Sequence, residues 1–176
     1  MPMEVHVCSL SRLAATVEAT GARHVVTLIN QGTAVPRPAA VQPEDHLFLG
    51  MNDIVTPMDG YVAPGEAHVD RLLGFVDGWW RSHGAASPLV VHCWAGISRS
   101  TAAAFITACA IHPGQDEDEL ARELRRLSPS ATPNLRLVAL ADRKLGRDGR
   151  MVAAIERIGR GRDAYEGEPF SLRLLR

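Results

Sequence analysis

Apolar runs alternate with segments of helical period along most of this chain. Val25-Val26-Thr27-Leu28-Ile29 has the composition of a buried strand, predicted over 23–30. Shorter apolar runs predict further strands over 4–8, 46–51 and 89–92. Between the first two, residues 10–20 predict a helix with Ser9 as N-cap and Gly21 as stop signal. Residues 64–82 follow a helical period: Val69, Leu72, Leu73, Val76 and Trp80 share one stripe, and Pro64 suits a helix start. Gly74 and Gly78 weaken that helix, and Trp79 and Trp80 read as its core and its rim.

The pattern changes in the second half. Residues 99–111 predict a helix that is apolar nearly all round and therefore buried, and Pro113-Gly114 ends it. Asp116-Glu117-Asp118-Glu119 resembles a capping box, a solvated start to a helix whose inner face is Leu120, Leu124 and Leu127. Residues 134–145 and 151–158 predict two more helices, with Asn134 as an N-cap. Residues 31–45 hold Gly32, Pro36, Pro38 and Pro43 and predict a loop, long enough to be functional or mobile. Residues 160–176 show no clear period and receive no element. Strands alternating with helices, followed by helices alone, predict one α/β layer in a single domain over 1–176. Residues 146–176 form a C-terminal extension of unassigned role.

Bulk properties narrow the function. The chain has 176 residues, 46% of them hydrophobic, which suits an ordered core. A formal net charge of -1 does not favour nucleic acid or an acidic membrane surface as partner. No apolar run reaches membrane-spanning length, and no secretory leader is expected at 1–9. Three cysteines, Cys8, Cys93 and Cys109, form no CxxC pair, which points to a reducing cytoplasm. The seven histidines show no HxH or HExxH spacing, so no zinc site is expected. The charge pattern leaves the oligomeric state open.

The segment His92-Cys93-Trp94-Ala95-Gly96-Ile97-Ser98-Arg99-Ser100 carries the chemistry. It joins an apolar strand to an apolar helix, so a tight loop closes onto a helix N-terminus. Backbone N–H groups from Trp94 to Arg99 then converge on one centre, a nest suited to a phosphate dianion. Gly96 permits backbone closed to other residues. Arg99 can hold phosphate through two parallel hydrogen bonds, which a lysine cannot. A free cysteine has a pKa of roughly 8.5, and a helix N-terminus or a cation lowers it, so Cys93 suits a nucleophile. Ser100 is placed to donate to its sulfur, and His92 to orient the loop. Cys8 and Cys109 read as small core residues. Trp94 lies either at a pocket mouth or beneath it.

This segment resembles the HCxxGxxR-Ser/Thr signature of the cysteine-dependent protein tyrosine phosphatases, with His92, Cys93, Gly96, Arg99 and Ser100 in the matching positions. Looser similarity to the compact dual-specificity-like branch runs over about 4–145. The resemblance implies a central, mostly parallel sheet flanked by helices, neither metal nor organic cofactor, and a general acid on an upstream loop. Asp53 occupies that position, with Asp59 in Met58-Asp59-Gly60 as rival, turn-like candidate. No Trp-Pro-Asp sequence is present. Pro133-Asn134 resembles a position that braces the phosphate loop, which gives Asn134 a second role.

The expected function is hydrolysis of phosphotyrosine, and of phosphoserine or phosphothreonine if the pocket is shallow, through a phosphocysteine. The substrate is then a phosphorylated protein or a small phosphomonoester. Trp94, Ala95, Ile97 and Ser98 add no basic residue, which disfavours a highly anionic inositol phospholipid, although Arg37 could supply a charge. The rival readings are a phosphate-binding module without turnover, a phosphatase for a non-protein phosphomonoester such as a phosphoinositide, and thiol chemistry on sulfur or arsenate.

Overall fold

Residues 3–82 and 86–174 are described in the computed structural model. Strands β1 (Met3–Ser9), β2 (His24–Ile29), β3 (His46–Gly50), β4 (Leu89–Cys93) and β5 (Phe170–Leu174) form one sheet in the order β3-β2-β4-β1-β5. The pairs β1–β4, β2–β4 and β2–β3 are parallel, and β5 closes the β1 edge antiparallel. The expected α/β class with a mostly parallel central sheet is what the chain adopts. Helices α1 (Leu13–Thr20), α2 (Glu66–Ser82), α3 (Arg99–Ile111), α4 (Glu117–Leu127), α5 (Leu135–Lys144) and α6 (Arg150–Ile158) flank it.

Alternation along the strands divides the core. Val5, Val7, Val26, Leu28, Leu89 and Val91 face the larger cluster, with α2 to α6, whereas Cys8, Val25 and Val90 face α1 through Leu13 and Val17. Helix α3 lies buried along its length to Cys109, as its all-round apolar sequence requires. The strand order places β4 between β1 and β2, so connections leave on opposite sides above its C-terminal end. A crevice at such a reversal is the usual ligand position in open α/β sheets.

Several local expectations change. The helix expected over 10–20 begins as a 3-10 turn over Leu10–Arg12, and the Ser9 side chain does not cap it. Ser9 Oγ instead hydrogen-bonds Ser11 and Glu166, a partner supplied by the far end of the chain. Gly21 ends α1 in the left-handed conformation, as expected (φ 69°). On α2, Trp79 is the core tryptophan and Trp80 the rim, as expected, and the Trp79 indole N–H reaches the Ser87 carbonyl at 2.9 Å. Asp116 caps α4 by accepting from Glu119 N at 2.9 Å. Glu117 is not solvated: it is 8% exposed and pairs with Arg147 at 2.6 Å and Arg150 at 3.2 Å. Both arginines come from beyond residue 145, so no local pattern announces the pair. Residues 146–174 supply α6, packed on α4 and α5, and the edge strand β5. A five-residue strand paired along one edge leaves little periodic trace, which is why its sequence received no element.

Candidate active site

The segment 93–99 leaves the C-terminal end of β4 and turns into α3. Its carbonyls are taken up from outside. Leu10 N donates to Trp94 O (3.2 Å), Gly167 N to Ala95 O (2.8 Å), Thr132 N to Ile97 O (2.9 Å) and Asn134 N to Ser98 O (3.2 Å). With the carbonyls held outward by four donors from three separate segments, the loop is fixed as an amide-lined cradle. Gly96 has φ +71°, and a Cβ there would lie 2.9 Å from the Cys8 carbonyl carbon, so the loop is glycine-dependent twice over.

Cys93 is 2% exposed, and its sulfur lies 3.1 Å from Ser100 Oγ and accepts from Gly96 N at 3.3 Å. The remaining cysteines differ in kind. Burial pushes the Cys8 thiol up to about 11 and the Cys109 thiol up to about 12, so both stay protonated.

Arg99 is 6% exposed and anchored through one nitrogen only. Nη1 donates to Asn30 Oδ1 (2.6 Å) and to the Met51 carbonyl (2.8 Å). Its Nε is buried without a partner among the described residues. An unpaired buried donor costs about 1–3 kcal/mol, so this N–H is available to an acceptor entering beside it. Asn30 follows β2 and Met51 follows β3, so three neighbouring strand ends meet at this guanidinium.

Asp53 Oδ1 accepts from Ser98 Oγ and from Asn134 Nδ2, each at 2.8 Å. Asn134 is 3% exposed and serves twice: its Oδ1 caps α5 by accepting from Leu137 N at 3.0 Å, while its amide holds Asp53. Asp59 lies in the turn between Met58 and Tyr61, exposed and away from the cleft lining. Arg37 is also exposed and does not line the cleft.

His92 sits behind the cradle, fully buried. Burial lowers its pKa to about 4, so the ring is neutral at pH 7. Nδ1 lies 3.1 Å from the Cys93 carbonyl, which can only accept, so Nδ1 carries the proton. Nε2 therefore accepts from Thr27 Oγ1 at 2.7 Å, and Thr27 accepts in turn from His46 Nε2 at 2.7 Å. The chain His46–Thr27–His92–Cys93 fixes the peptide that follows the thiol.

Cys93, Arg99, Asn30 and Asp53 line an open cleft of about 730 Å³, and His92 and Thr27 lie behind its wall. Among the described residues lining it, Arg99 is the cation and Asp53 the anion. Trp94, 58% exposed, stands at its mouth, together with Tyr61 and Tyr165. Asn30, Thr27, Tyr61 and Tyr165 were not legible as site residues. Each lies on a different element from the cysteine segment, and none belongs to a motif. The position of Asn30 at a strand end, opening a Pro-rich loop, was the one available signal. A thiol, an amide cradle, a half-bound guanidinium and a carboxylate at one cleft can bind a tetrahedral dianion and present a nucleophile to it.

No protein-family model and no curated protein matches the sequence. Solved structures do. Cydia pomonella PTP-2 phosphatase aligns with a TM-score of 0.61 at 20% identity, over 80% of this chain and 84% of that one. DUSP15 aligns with a TM-score of 0.64 at 14% identity, over 89% and 92%. PTPMT1, solved in complex with PI(5)P, aligns with a TM-score of 0.60 at 16% identity, over 85% and 92%. The chain therefore has the cysteine-phosphatase fold of the dual-specificity type, the fold that the residues around Cys93 imply.

Proposed function

We propose that this protein hydrolyses phosphomonoesters, phosphotyrosine in proteins foremost, through a phosphocysteine at Cys93. One observation carries the reading: in the cleft that Cys93 lines, a buried guanidinium is anchored through Nη1 and its Nε has no partner among the described residues. The Cys93 sulfur attacks phosphorus as a thiolate, and the bond from phosphorus to the ester oxygen breaks. Asp53 gives its proton to that oxygen. Water then attacks phosphorus, Asp53 takes the water proton, and the sulfur–phosphorus bond breaks to return the thiolate. Ser100 Oγ donates to the departing sulfur. Arg99 and the backbone amides from Trp94 to Arg99 hold the phosphoryl oxygens throughout. This chemistry calls for neither metal nor organic cofactor.

The lining favours a single phosphate. Among the described residues, Arg99 is its one cation, which suits a monoester better than a headgroup with several phosphates. The cleft is open, so phosphoserine and phosphothreonine can also enter. Among the described residues no helix is long and apolar enough to cross a membrane. All three cysteines are free, and a working thiolate needs reducing surroundings, so we place the protein in the cytoplasm. We treat residues 1–176 as one phosphatase domain, with 146–176 part of it.

The test is release of p-nitrophenol from its phosphate, with phosphopeptide and phosphoinositide panels. Activity in the wild type, absent in Cys93→Ser, supports the proposal. Phosphopeptide binding without turnover would instead favour a binding module. Preference for phosphoinositide over every phosphopeptide would reassign the substrate.

A further inference from the structure

A second hollow of about 320 Å³ opens beside the main cleft. Trp94, Ala95 and Tyr165 divide the two; Leu10, Ser11 and Glu166 close the far side. Its aromatic walls are fully presented: Trp94 is 58% and Tyr165 96% exposed, whereas Trp79 on α2 is 2% exposed. The backbone next to Tyr165 is tied to the cysteine loop, since Gly167 N, two residues on, bonds Ala95 O at 2.8 Å.

The chemistry of the floor is opposite to that of the main cleft. Glu166 Oε1 accepts from the hydroxyls of Ser9 and Ser11. These bonds keep the Glu166 carboxyl below its ordinary pKa, hence ionised. Its Oε2 has no hydrogen bond among the described residues. Arg12 contributes a weaker field and forms no ion pair with Glu166 among the described residues. A carboxylate sharing one hollow with two exposed aromatic side chains is an arrangement that recognises an organic cation.

We propose that this hollow is a subsite for an arginine or lysine side chain flanking the phosphorylated residue of a peptide substrate. It rests on the phosphatase reading above and refines it. The cation stacks on Trp94 and Tyr165 and pairs with Glu166 Oε2, while the neighbouring phosphate lies over Arg99. The site then selects a dianion with a positive charge close beside it, and it disfavours acidic phosphopeptides.

Phosphotyrosine peptides that differ only in carrying Arg, Gln or Glu beside the phosphotyrosine test this. Their kcat/KM values are measured for the wild type, Glu166→Gln and Tyr165→Ala, each normalised to its own rate on p-nitrophenyl phosphate. Binding of the same peptides to Cys93→Ser is followed in parallel. The wild type is expected to prefer Arg over Gln by about three- to tenfold, the range of an exposed cation–π contact with a charge pair. Both substitutions should reduce that ratio to within about twofold. Turnover with equal rates for the Arg and Gln peptides overturns the subsite alone, as does a preference that survives both substitutions. Charge-selective binding without turnover supports the subsite and overturns the proposed function. Absence of both turnover and charge-selective binding overturns both.

Discussion

Asp53 and Asn134, 81 positions apart, are joined by a 2.8 Å hydrogen bond from Asn134 Nδ2 to Asp53 Oδ1. Ser98 completes the clamp, so the loop after β3 is tied to the cysteine loop at one carboxylate oxygen. Asn134→Ala removes both the clamp and the α5 cap. It should cost about 1 kcal/mol in stability and about tenfold in kcat/KM. Asn134→Asp separates the two roles: it keeps a capping oxygen but turns a carboxylate toward Asp53. Helix content should then stay near wild type, while activity and thermal stability fall through the contact between like charges.

Asp53→Asn tests the acid role through the leaving group. Removing a general acid costs about 10²–10⁴-fold when the leaving oxygen needs a proton. The loss should be large for phosphotyrosine and smaller for p-nitrophenyl phosphate, whose phenolate leaves without help. Equal losses on both substrates would remove Asp53 from the acid role.

His92 makes stability depend on pH. Its folded pKa, about 4 because of burial, lies below the ordinary value of 6.5. The unfolded chain therefore binds more protons in that window. The stabilisation is complete above pH 6.5 and is lost as pH falls toward 4. The size of this effect is roughly 3 kcal/mol at 1.36 kcal/mol per pH unit. Burial lowers the pKa values of His46 and His68 as well, which adds in the same direction. Urea denaturation at pH 7.5, 5.5 and 4.5 measures this, and His92→Asn should flatten the dependence.

Gly167 tests the outer support of the cradle. A Cβ at this position would lie 2.8 Å from the Gly96 carbonyl oxygen, a backbone atom that cannot swing aside. Gly167→Val should displace the loop and lower kcat/KM by about tenfold or more, with helix content unchanged by circular dichroism.

The Glu117–Arg147 pair tests the stability of the C-terminal packing. Arg147 is 4% exposed and also donates to the Cys109 carbonyl. Burial pushes the Glu117 carboxyl up, but hydrogen bonds from Arg147 and Arg150 outweigh it, and the net direction is down. Arg147→Met leaves that carboxylate without its main partner and should cost about 3 kcal/mol in chemical denaturation.

Legibility followed the range of the interactions. The Cys93–Ser100 segment was readable because one strand–loop–helix turn contains its own chemistry. The strands β2 and β4, the buried helix α3 and the Asp116 cap were readable for the same reason: periodicity and capping act over a few residues. Glu117 misled because its partners come from far along the chain, Arg147 from the α5–α6 connection and Arg150 from the start of α6. Trp79 and Trp80 read correctly as core and rim, and the Trp79 indole N–H found its carbonyl only eight residues on, at Ser87. β5 went unseen because an edge strand owes its existence to β1.

The sequence by itself determined a thiol–arginine loop between an apolar strand and an apolar helix, since nearest-neighbour chemistry specifies that much. Tertiary structure decided what that loop can use. The parallel order of β2, β3 and β4 brought Asn30 and Met51 to Arg99. Helix α5 carried Asn134 to Asp53, and the returning C-terminal segment set Tyr165 and Glu166 beside Trp94. Those contacts depend on which strand ends and segments lie side by side, a property of topology that no local pattern encodes.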